Sequence, residues 1–197
     1  QLKGKPAVFV FNHTHHFDGA FTGAVLGRYK PYVLVKKNWY EKKAVGTMIG
    51  WCRCFPIDLE GADASWYSTA EEIIHRNGSL IIFPEGGIAR EGKIEKFKPG
   101  AALVCASTGA CVVPMAIYGG YHMVFGRRQR LLVGKPIESS CPENMRHSQY
   151  AKQLMKQAEE ETKRLYGILE QKYGKTDTYT ESYAPQNSTQ AEETAEN

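Results

Sequence analysis

The chain has 197 residues, 42% of them hydrophobic and 11% aromatic, which suits one domain with a buried core and excludes collagen-like, disulfide-scaffold and complete (β/α)8-barrel proteins. The net charge of +4 is unevenly spread, because no Lys or Arg follows Lys175 but five of the 21 acidic residues do, which leaves about +9 on residues 1–175. A domain with that positive charge favours binding to an anionic lipid surface or to a polyphosphate such as coenzyme A, although charge alone does not exclude binding to nucleic acid.

Strands and helices alternate through the first half of the sequence. The chain begins at Gln1 rather than Met, almost directly on the apolar run Ala7–Phe11, which predicts a buried strand, so we expect that a preceding segment is missing. A polar turn follows this strand. The next predicted elements are helix 19–28, strand 31–35, helix 39–51 and strand 54–57. This alternation is typical of α/β folds.

The second half continues the alternation. Asp63 or Ser65 can cap a helix that ends at the pair Asn77 and Gly78, a common left-handed exit. Pro99 can begin a later helix, after a loop rich in Gly and charged residues. The remaining predicted elements are strand 79–83, loop 84–98, helix 101–107, strands 111–117 and 131–133, and a charged helix over 143–173.

The C-terminal part predicts a packed helix and then a tail. The last helix carries an apolar side that we expect to pack on the sheet, and Gly167 allows a break in it. That side consists of Leu154, Ala158, Leu165 and Leu169. Residues 176–197 lack periodicity and predict a disordered acidic tail. We therefore expect one α/β domain over residues 1–175, with a mixed, mostly parallel sheet flanked by helices.

Cysteines and hydrophobic runs indicate the compartment. The five cysteines form an odd set without a C-x-x-C pair, and no secretory leader is visible, so we expect reduced thiols in the cytoplasm. The longest uncharged run, residues 101–121, is interrupted by Gly109 and Pro114. It therefore predicts a helix, a turn and a strand rather than a transmembrane span.

The densest group of chemically active side chains lies between the first strand and the first helix. His13 and Asp18 are five positions apart, so they cannot face each other along a helix or a strand and can meet only across a turn, which this segment supplies. In open α/β sheets, ligands bind at the carboxyl ends of strands. A carboxylate on one imidazole nitrogen fixes the tautomer and leaves the other nitrogen as a base. The pair therefore suits general-base catalysis.

The same segment allows a metal site as an alternative. His13, His15, His16 and Asp18 resemble the His-x-His ligands of amidohydrolases and the His-x-His-x-Asp-His run of metallo-β-lactamases. The chain is too short for the first class, and Phe17 occupies the Asp position of the second. The distant histidines that could complete such a site are His75, His122 and His147. We expect no metal, and a zinc-dependent hydrolase remains the alternative.

A second motif makes the first one specific. Phe83-Pro84-Glu85-Gly86, together with Asn12-His13-x4-Asp18, resembles two sequence blocks of the PlsC-like glycerolipid acyltransferases. The likeness continues through residues 97–102 and 112–117, and residues 55–58 lie where that family has its second block. It covers nearly all of residues 6–137. The resemblance implies a glycerol-3-phosphate acyltransferase-like α/β fold.

The resemblance also implies an activity and its partners. These are transfer of a fatty acyl group from acyl-CoA or acyl-carrier protein to a lysolipid hydroxyl, with 1-acylglycerol 3-phosphate as the preferred acceptor, in phospholipid biosynthesis. It implies no cofactor, no nucleic-acid partner, and a peripheral position on an anionic membrane surface at the inner face of the cell membrane. Binding of membranes or acyl carriers without catalysis remains a third reading of the basic charge.

By position, the resemblance assigns roles to individual residues. His13 corresponds to the catalytic base and Asp18 to the residue that orients it. Glu85 and Gly86 correspond to residues that line the acceptor site, and backbone N–H groups at Gly86 and Gly87 are expected to hold the acceptor or a developing oxyanion. A Lys after the second strand contacts the acceptor in related enzymes, and Lys36 is the nearest match.

Two departures concern the acceptor. The family usually has Ile-Asp-Arg in its second block and Glu-Gly-Thr-Arg in its third, but here Leu59 and Ile88 stand in place of the two arginines. Guanidinium groups are natural bidentate partners of phosphate. Arg53, Arg90 and Lys93 are near enough in sequence to replace them, and we assign Arg90 to the acceptor site. A lysolipid without phosphate remains an alternative acceptor.

Overall fold

The computed structural model describes residues 2, 5–37, 53–57, 65–89, 93–120 and 129–174. The elements in chain order are β1 (Ala7–Phe11), α1 (Asp18–Val25), a 3-10 turn (Gly27–Tyr29), β2 (Pro31–Lys36), β3 (Cys54–Ile57), α2 (Ser65–His75), β4 (Ser79–Ile82), α3 (Gly100–Thr108), β5 (Cys111–Tyr118), β6 (Arg130–Val133) and α4 (His147–Tyr173). The helix predicted over 39–51 and the tail predicted over 176–197 lie outside the described residues. The domain boundary at residue 175 remains a prediction.

The six strands form one sheet in the order β3-β2-β4-β1-β5-β6. Every pairing among the first five strands is parallel, and β6 runs antiparallel to β5. The predicted α/β class, with a mixed and mostly parallel sheet flanked by helices, is confirmed. No helix among the described residues is both long and apolar enough to cross a membrane.

The central strand β1 is buried along its whole length because helices cover both faces of the sheet. Its side chains alternate, so that Val8 and Val10 pack with residues of α2, α3 and α4. Phe9 and Phe11 belong to the opposite cluster, which includes Leu26 at the end of α1. A strand covered on both faces needs an unbroken apolar sequence. This is why the run Ala7–Phe11 could be recognised from the sequence alone.

The helix ends follow local chemistry. The left-handed exit predicted after α2 is confirmed at Asn77, whose φ is 63°. Helix α4 begins at His147 instead of 143, because a turn closed by the Met145 N–H and the Pro142 carbonyl precedes it. It continues through Gly167 without a break. Its predicted packing side is confirmed, since Leu154, Ala158, Leu165 and Leu169 are all buried.

The register between β1 and β4 brings two distant segments to the same edge of the sheet. Val10 lies opposite Ile82 in this parallel pair. His13 and Glu85 lie three residues beyond this pair, so they stand at the same level just past the carboxyl ends of two adjacent strands. Side chains at this edge converge because all five parallel strands end there.

Two glycines provide a test of this packing. A Cβ on Gly134 would lie 2.8 Å from the Pro114 carbonyl oxygen and 3.1 Å from Leu165 Cδ1, whereas a Cβ on Gly167 would meet no atom within 4 Å. We expect Gly134→Ala to lower the free energy of unfolding by roughly 1–3 kcal/mol through overpacking. Gly167→Ala should raise it by roughly 0.5–1 kcal/mol because a glycine inside a helix loses more entropy on folding. Denaturant unfolding of both variants measures this, and equal effects would contradict the close packing of Gly134 against Pro114 and Leu165.

Candidate active site

His13 and Asp18 are in direct contact across the turn between β1 and α1. His13 Nδ1 lies 2.9 Å from Asp18 Oδ2. The Asp18 side chain is completely buried, and that of His13 is 18% exposed. The imidazole therefore has one edge against a carboxylate inside the protein and another edge that solvent or a substrate can reach.

The surroundings of Asp18 determine which imidazole nitrogen carries the proton. Oδ2 of Asp18 accepts the backbone N–H groups of Thr14, at 2.6 Å, and His15, at 2.8 Å. The Thr14 hydroxyl donates to the same carboxylate. Asp18 also stands in the first turn of α1, where the helix dipole favours negative charge. Because this carboxylate acts as an acceptor, the His13 Nδ1 atom donates and Nε2 keeps its lone pair as a base.

Glu85 holds the backbone of His13 from the other side. The His13 N–H donates to Glu85 Oε1 at 2.7 Å, and the Glu95 N–H donates to Oε2 at 3.0 Å. The Ala89 N–H donates to the His13 carbonyl at 2.9 Å. Burial raises the pKa of Glu85, while the two N–H groups oppose this rise by stabilising the ionised form. The carboxyl group thus joins the end of β1 to the loop that follows β4.

Asn12 fixes the end of β1 on its other neighbour, β5. Its side-chain amide donates to the Ile117 carbonyl at 3.0 Å and accepts the Ile117 N–H at 2.8 Å. The last backbone pairing between β1 and β5 is that of Phe11 with Met115. Beyond it, the Asn12 side chain makes the two hydrogen bonds that a further backbone pair would make. Sequence reasoning assigned no role to Asn12. The signal that could have revealed it is a single amide directly after five buried apolar residues.

Aromatic and imidazole rings surround the His13 side chain. Phe83, the residue after β4, stacks on the His13 ring with centroids 4.4 Å apart. His16 lies nearby, and its pKa is lowered by partial burial and by the neighbouring His15 and His13. In the sequence, Phe83 stands out only as the first residue of the Phe83–Gly86 motif. Its contact with His13 depends on the adjacency of β1 and β4.

The turn after β4 has a glycine where no side chain would fit. Gly86 has φ +77°, and a Cβ there would overlap the ammonium group of Lys98. Its N–H donates to the Phe83 carbonyl at 3.1 Å. This donor thus takes part in the turn, and the expected role of the N–H groups at Gly86 and Gly87 toward the acceptor or an oxyanion stays a prediction. Gly87 is exposed, with open space where a side chain would stand.

The predicted cationic residues lie at different places. Lys36 ends β2, and the pairing of Val33 with Ile81 sets its backbone level with Pro84, at the same edge of the sheet as the site. Lys93 is exposed in the loop before α3. Arg90 lies outside the described residues.

Arg53 is on the wrong side of the sheet to replace a missing arginine. It precedes β3 and therefore stands at the amino edge of the parallel strands, opposite His13. Its guanidinium group lies 5.8 Å from the centre of the Tyr32 ring. Nearness in sequence to the second block was misleading, because the strand itself separates Arg53 from the carboxyl edge.

The histidine cluster does not form a metal-binding group within the described ranges. No set of three His, Cys, Asp or Glu residues among them has a suitable arrangement. Oδ2 of Asp18 already accepts from four donors, namely His13 Nδ1, two backbone N–H groups and the Thr14 hydroxyl. The His15 and His16 ring centroids are 6.0 Å apart. Asp18 is thus engaged by His13 and by the turn, and the zinc-dependent hydrolase remains the alternative.

The sequence is similar to known proteins over about two thirds of its length. The family model described as Acyltransferase matches residues 1–118. The chain is 30% identical to the chloroplastic 1-acyl-sn-glycerol-3-phosphate acyltransferase of Arabidopsis thaliana, over 68% of this chain and 40% of that protein. It is 24% identical to the 1-acyl-sn-glycerol-3-phosphate acyltransferase of Bacillus subtilis, over 68% of this chain and 67% of that protein. The chain thus spans about two fifths of the length of the plant relative.

A solved structure has the same fold. The crystal structure of the 1-acyl-sn-glycerophosphate acyltransferase PlsC from Thermotoga maritima superposes with a TM-score of 0.61 at 22% sequence identity. The match covers 84% of this chain and 66% of that one. At this identity the likeness shows a shared fold.

Glu85 predicts a pH dependence of stability. The pKa of the Glu85 carboxyl group is higher in the folded than in the unfolded chain, so the folded chain binds the proton more tightly. The contribution of this proton to the stability of the fold is greatest below the ordinary Glu pKa of about 4.3. It is lost as the pH rises through the folded-state pKa. We therefore expect wild-type protein to lose stability relative to Glu85→Gln as the pH rises above the ordinary Glu pKa of about 4.3. Denaturant unfolding at each pH measures this.

The exposed Glu160→Gln variant controls for the loss of one acidic group from the chain. A wild-type advantage over Glu85→Gln that grows with pH, beyond any change in the control, would show that the hydrogen bonds to Glu85 outweigh its burial.

Proposed function

The chain belongs to the acyltransferase family, and we propose that it is an O-acyltransferase that moves a fatty acyl group from a thioester to the hydroxyl of a lysolipid. The observation that carries the proposal is the contact between His13 Nδ1 and a buried carboxylate, which leaves Nε2 as a base on a partly exposed ring. The matched family model and the curated relatives support the same reaction class.

The reaction follows from the geometry of His13. Nε2 takes the proton of the acceptor hydroxyl while that oxygen attacks the thioester carbonyl carbon. The resulting imidazolium is stabilised by Asp18, whose carboxylate accepts the Nδ1 proton. When the carbon–sulfur bond breaks, the imidazolium returns a proton to the leaving thiolate, giving the ester and a free thiol. A base held in this way is worth roughly 10²- to 10⁴-fold in rate.

We propose 1-acylglycerol 3-phosphate as the acceptor and acyl-CoA or acyl-carrier protein as the donor, in phospholipid biosynthesis. The relatives from Arabidopsis thaliana and Bacillus subtilis, both named as 1-acyl-sn-glycerol-3-phosphate acyltransferases, support this acceptor. No cofactor enters the scheme, since the histidine and the two substrates supply every proton and bond. A lysolipid without phosphate is the second candidate, because Ile88 stands where the family usually has an arginine.

We further propose that the protein works as a peripheral protein on the anionic inner face of the cell membrane. Helix α1 starts beside His13 and has no charged side chain except the buried Asp18. Phe17, just before the helix, and Val25, at its end, are 53% and 52% exposed. Arg28 and Lys30 are exposed just beyond it. An apolar helix surface flanked by basic residues suits an anionic lipid surface, where a lysolipid acceptor would lie.

Removal of the base or of its carboxylate should abolish most of the activity. We expect His13→Ala and Asp18→Asn to lower kcat for thiol release from acyl-CoA with 1-acylglycerol 3-phosphate by roughly 10²- to 10⁴-fold. In Asp18→Asn the imidazole loses the acceptor that fixes its tautomer. His16→Ala, which removes a ring from the same turn, is the control and should keep its activity.

Two results would contradict this mechanism. One is thiol release by His13→Ala at the wild-type rate. The other is stoichiometric zinc in the purified protein that disappears in His16→Ala together with activity, which would support the hydrolase alternative. Thermal unfolding of each variant separates a loss of chemistry from a loss of fold, which matters for Asp18 because its carboxylate accepts two backbone N–H groups.

The membrane proposal predicts a difference between two exposed apolar residues. Val25→Glu should lower binding to vesicles of anionic phospholipid by roughly tenfold, because it removes exposed apolar area that the lipid would cover and adds a negative charge that the lipid repels. Ile168→Glu is the matched control, since Ile168 is 40% exposed on α4, which packs on the opposite face of the sheet. Co-sedimentation with the vesicles measures both. Equal losses for the two variants would contradict a role for α1.

A further inference from the structure

Lys98 reaches the turn after β4 from the loop that precedes α3. Its backbone N–H donates to the Pro84 carbonyl at 2.9 Å, which places the two segments side by side. Glu85 joins the same segments, because its Oε2 accepts the Glu95 N–H. The position of Lys98 is therefore fixed by its backbone, and its side chain starts from a defined point beside the turn.

The Lys98 side chain lies directly over Gly86. A Cβ on Gly86 would overlap Lys98 Nζ and would lie 3.1 Å from Cε and 3.4 Å from Cδ. The missing side chain at Gly86 is thus what allows the ammonium group to rest on this turn. The φ of +77° at Gly86 is a second reason for glycine here, since other residues are strained in that conformation.

The ammonium group of Lys98 has no ion-pair partner within the described ranges. Glu95, three positions before Lys98, is exposed and forms no ion pair with it. The Glu85 carboxylate, which adjoins the same turn, already accepts two backbone N–H groups. Lys98 itself is exposed. A cation that is held over a glycine turn, and that no acidic side chain of the described residues neutralises, is available to bind an anion from outside the protein.

The turn under Lys98 is also the turn that positions the base. Glu85 Oε1 holds the His13 N–H, and Gly86 is the next residue along the chain. In a glycerol 3-phosphate unit, the hydroxyl that accepts the acyl group and the phosphate are carried by adjacent carbon atoms. A ligand that offers its hydroxyl to His13 would therefore bring its phosphate close to the Pro84–Gly87 turn. Ile88, which follows that turn, provides no charge.

We propose that Lys98 and the turn at Gly86 form a subsite for the phosphate of the acceptor. The proposal rests on the function proposed above and assigns phosphate recognition to a residue ten positions beyond the motif that lacks its arginine. Lysine binds phosphate as a point charge, without the bidentate geometry of arginine. Lys98 contacts the non-reacting end of the acceptor, so it determines affinity and specificity and not the chemical step.

The test compares two acceptors and three variants. Lys98→Met keeps most of the length of the side chain without its charge, Lys98→Arg keeps the charge, and Lys96→Met removes one positive charge from an exposed position of the same loop. Lys96 lies close enough to Glu159 to affect its pKa, so its side chain has a neighbour outside the site. The acceptors are 1-acylglycerol 3-phosphate and the corresponding 1-monoacylglycerol, which has no phosphate.

We expect Lys98→Met to raise KM for the phosphorylated acceptor by roughly tenfold to a hundredfold, the range for a lost charged hydrogen bond, with kcat little changed. KM for 1-monoacylglycerol and for acyl-CoA should stay at the wild-type values. Lys98→Arg should recover most of the affinity, and Lys96→Met should behave as wild type. Thermal unfolding at the wild-type temperature shows that the Lys98→Met variant is folded.

Two outcomes would overturn the subsite. One is an unchanged KM of Lys98→Met for 1-acylglycerol 3-phosphate. The other is a rise confined to acyl-CoA, which would assign the lysine to a phosphate of the donor. A calorimetric titration with glycerol 3-phosphate needs no turnover, and wild-type binding that Lys98→Met loses supports the subsite. Absence of acceptor-dependent thiol release from wild-type protein, with that binding intact, would instead contradict the proposed function.

Discussion

The bridge that the Glu85 carboxyl group makes between two backbone N–H groups is the constraint on which the rest of the site depends. One N–H belongs to His13 at the end of β1, and the other belongs to Glu95 in the loop before α3. The ladder between β1 and β4 ends at Val10 and Ile82, and the bridge continues the connection between these two segments beyond it. The bridge sets the level of the imidazole above the sheet and draws in the loop that carries Lys98.

Two buried carboxyl groups act on His13 in different ways. Asp18 acts on the ring, because it accepts the Nδ1 proton and leaves Nε2 as the base. Glu85 acts on the backbone, because it accepts the N–H of the same residue. Burial of a carboxylate is costly unless hydrogen bonds satisfy it, and each of these accepts at least two.

Cations around the site illustrate how topology overrides nearness in sequence. Arg53 is adjacent to the second sequence block but stands at the amino edge of the sheet, beside Tyr32. Lys98 is ten residues beyond Ile88, yet its ammonium group rests on Gly86. Lys98 and Gly86 both lie in the connection after β4, at the carboxyl edge of the sheet, whereas Arg53 precedes its strand and therefore lies at the opposite edge.

The sequence by itself determined the strands and the contact between His13 and Asp18. Apolar runs such as Ala7–Phe11 and a turn of five residues are local, and local patterns can be recognised in a single chain. Only the tertiary structure decided that Glu85 binds the backbone of His13 and that Lys98 covers Gly86. Those contacts depend on strand order, on the register between β1 and β4, and on the packing of a loop against a turn. No local pattern encodes these features, because they arise from the burial of the whole sheet between its helices.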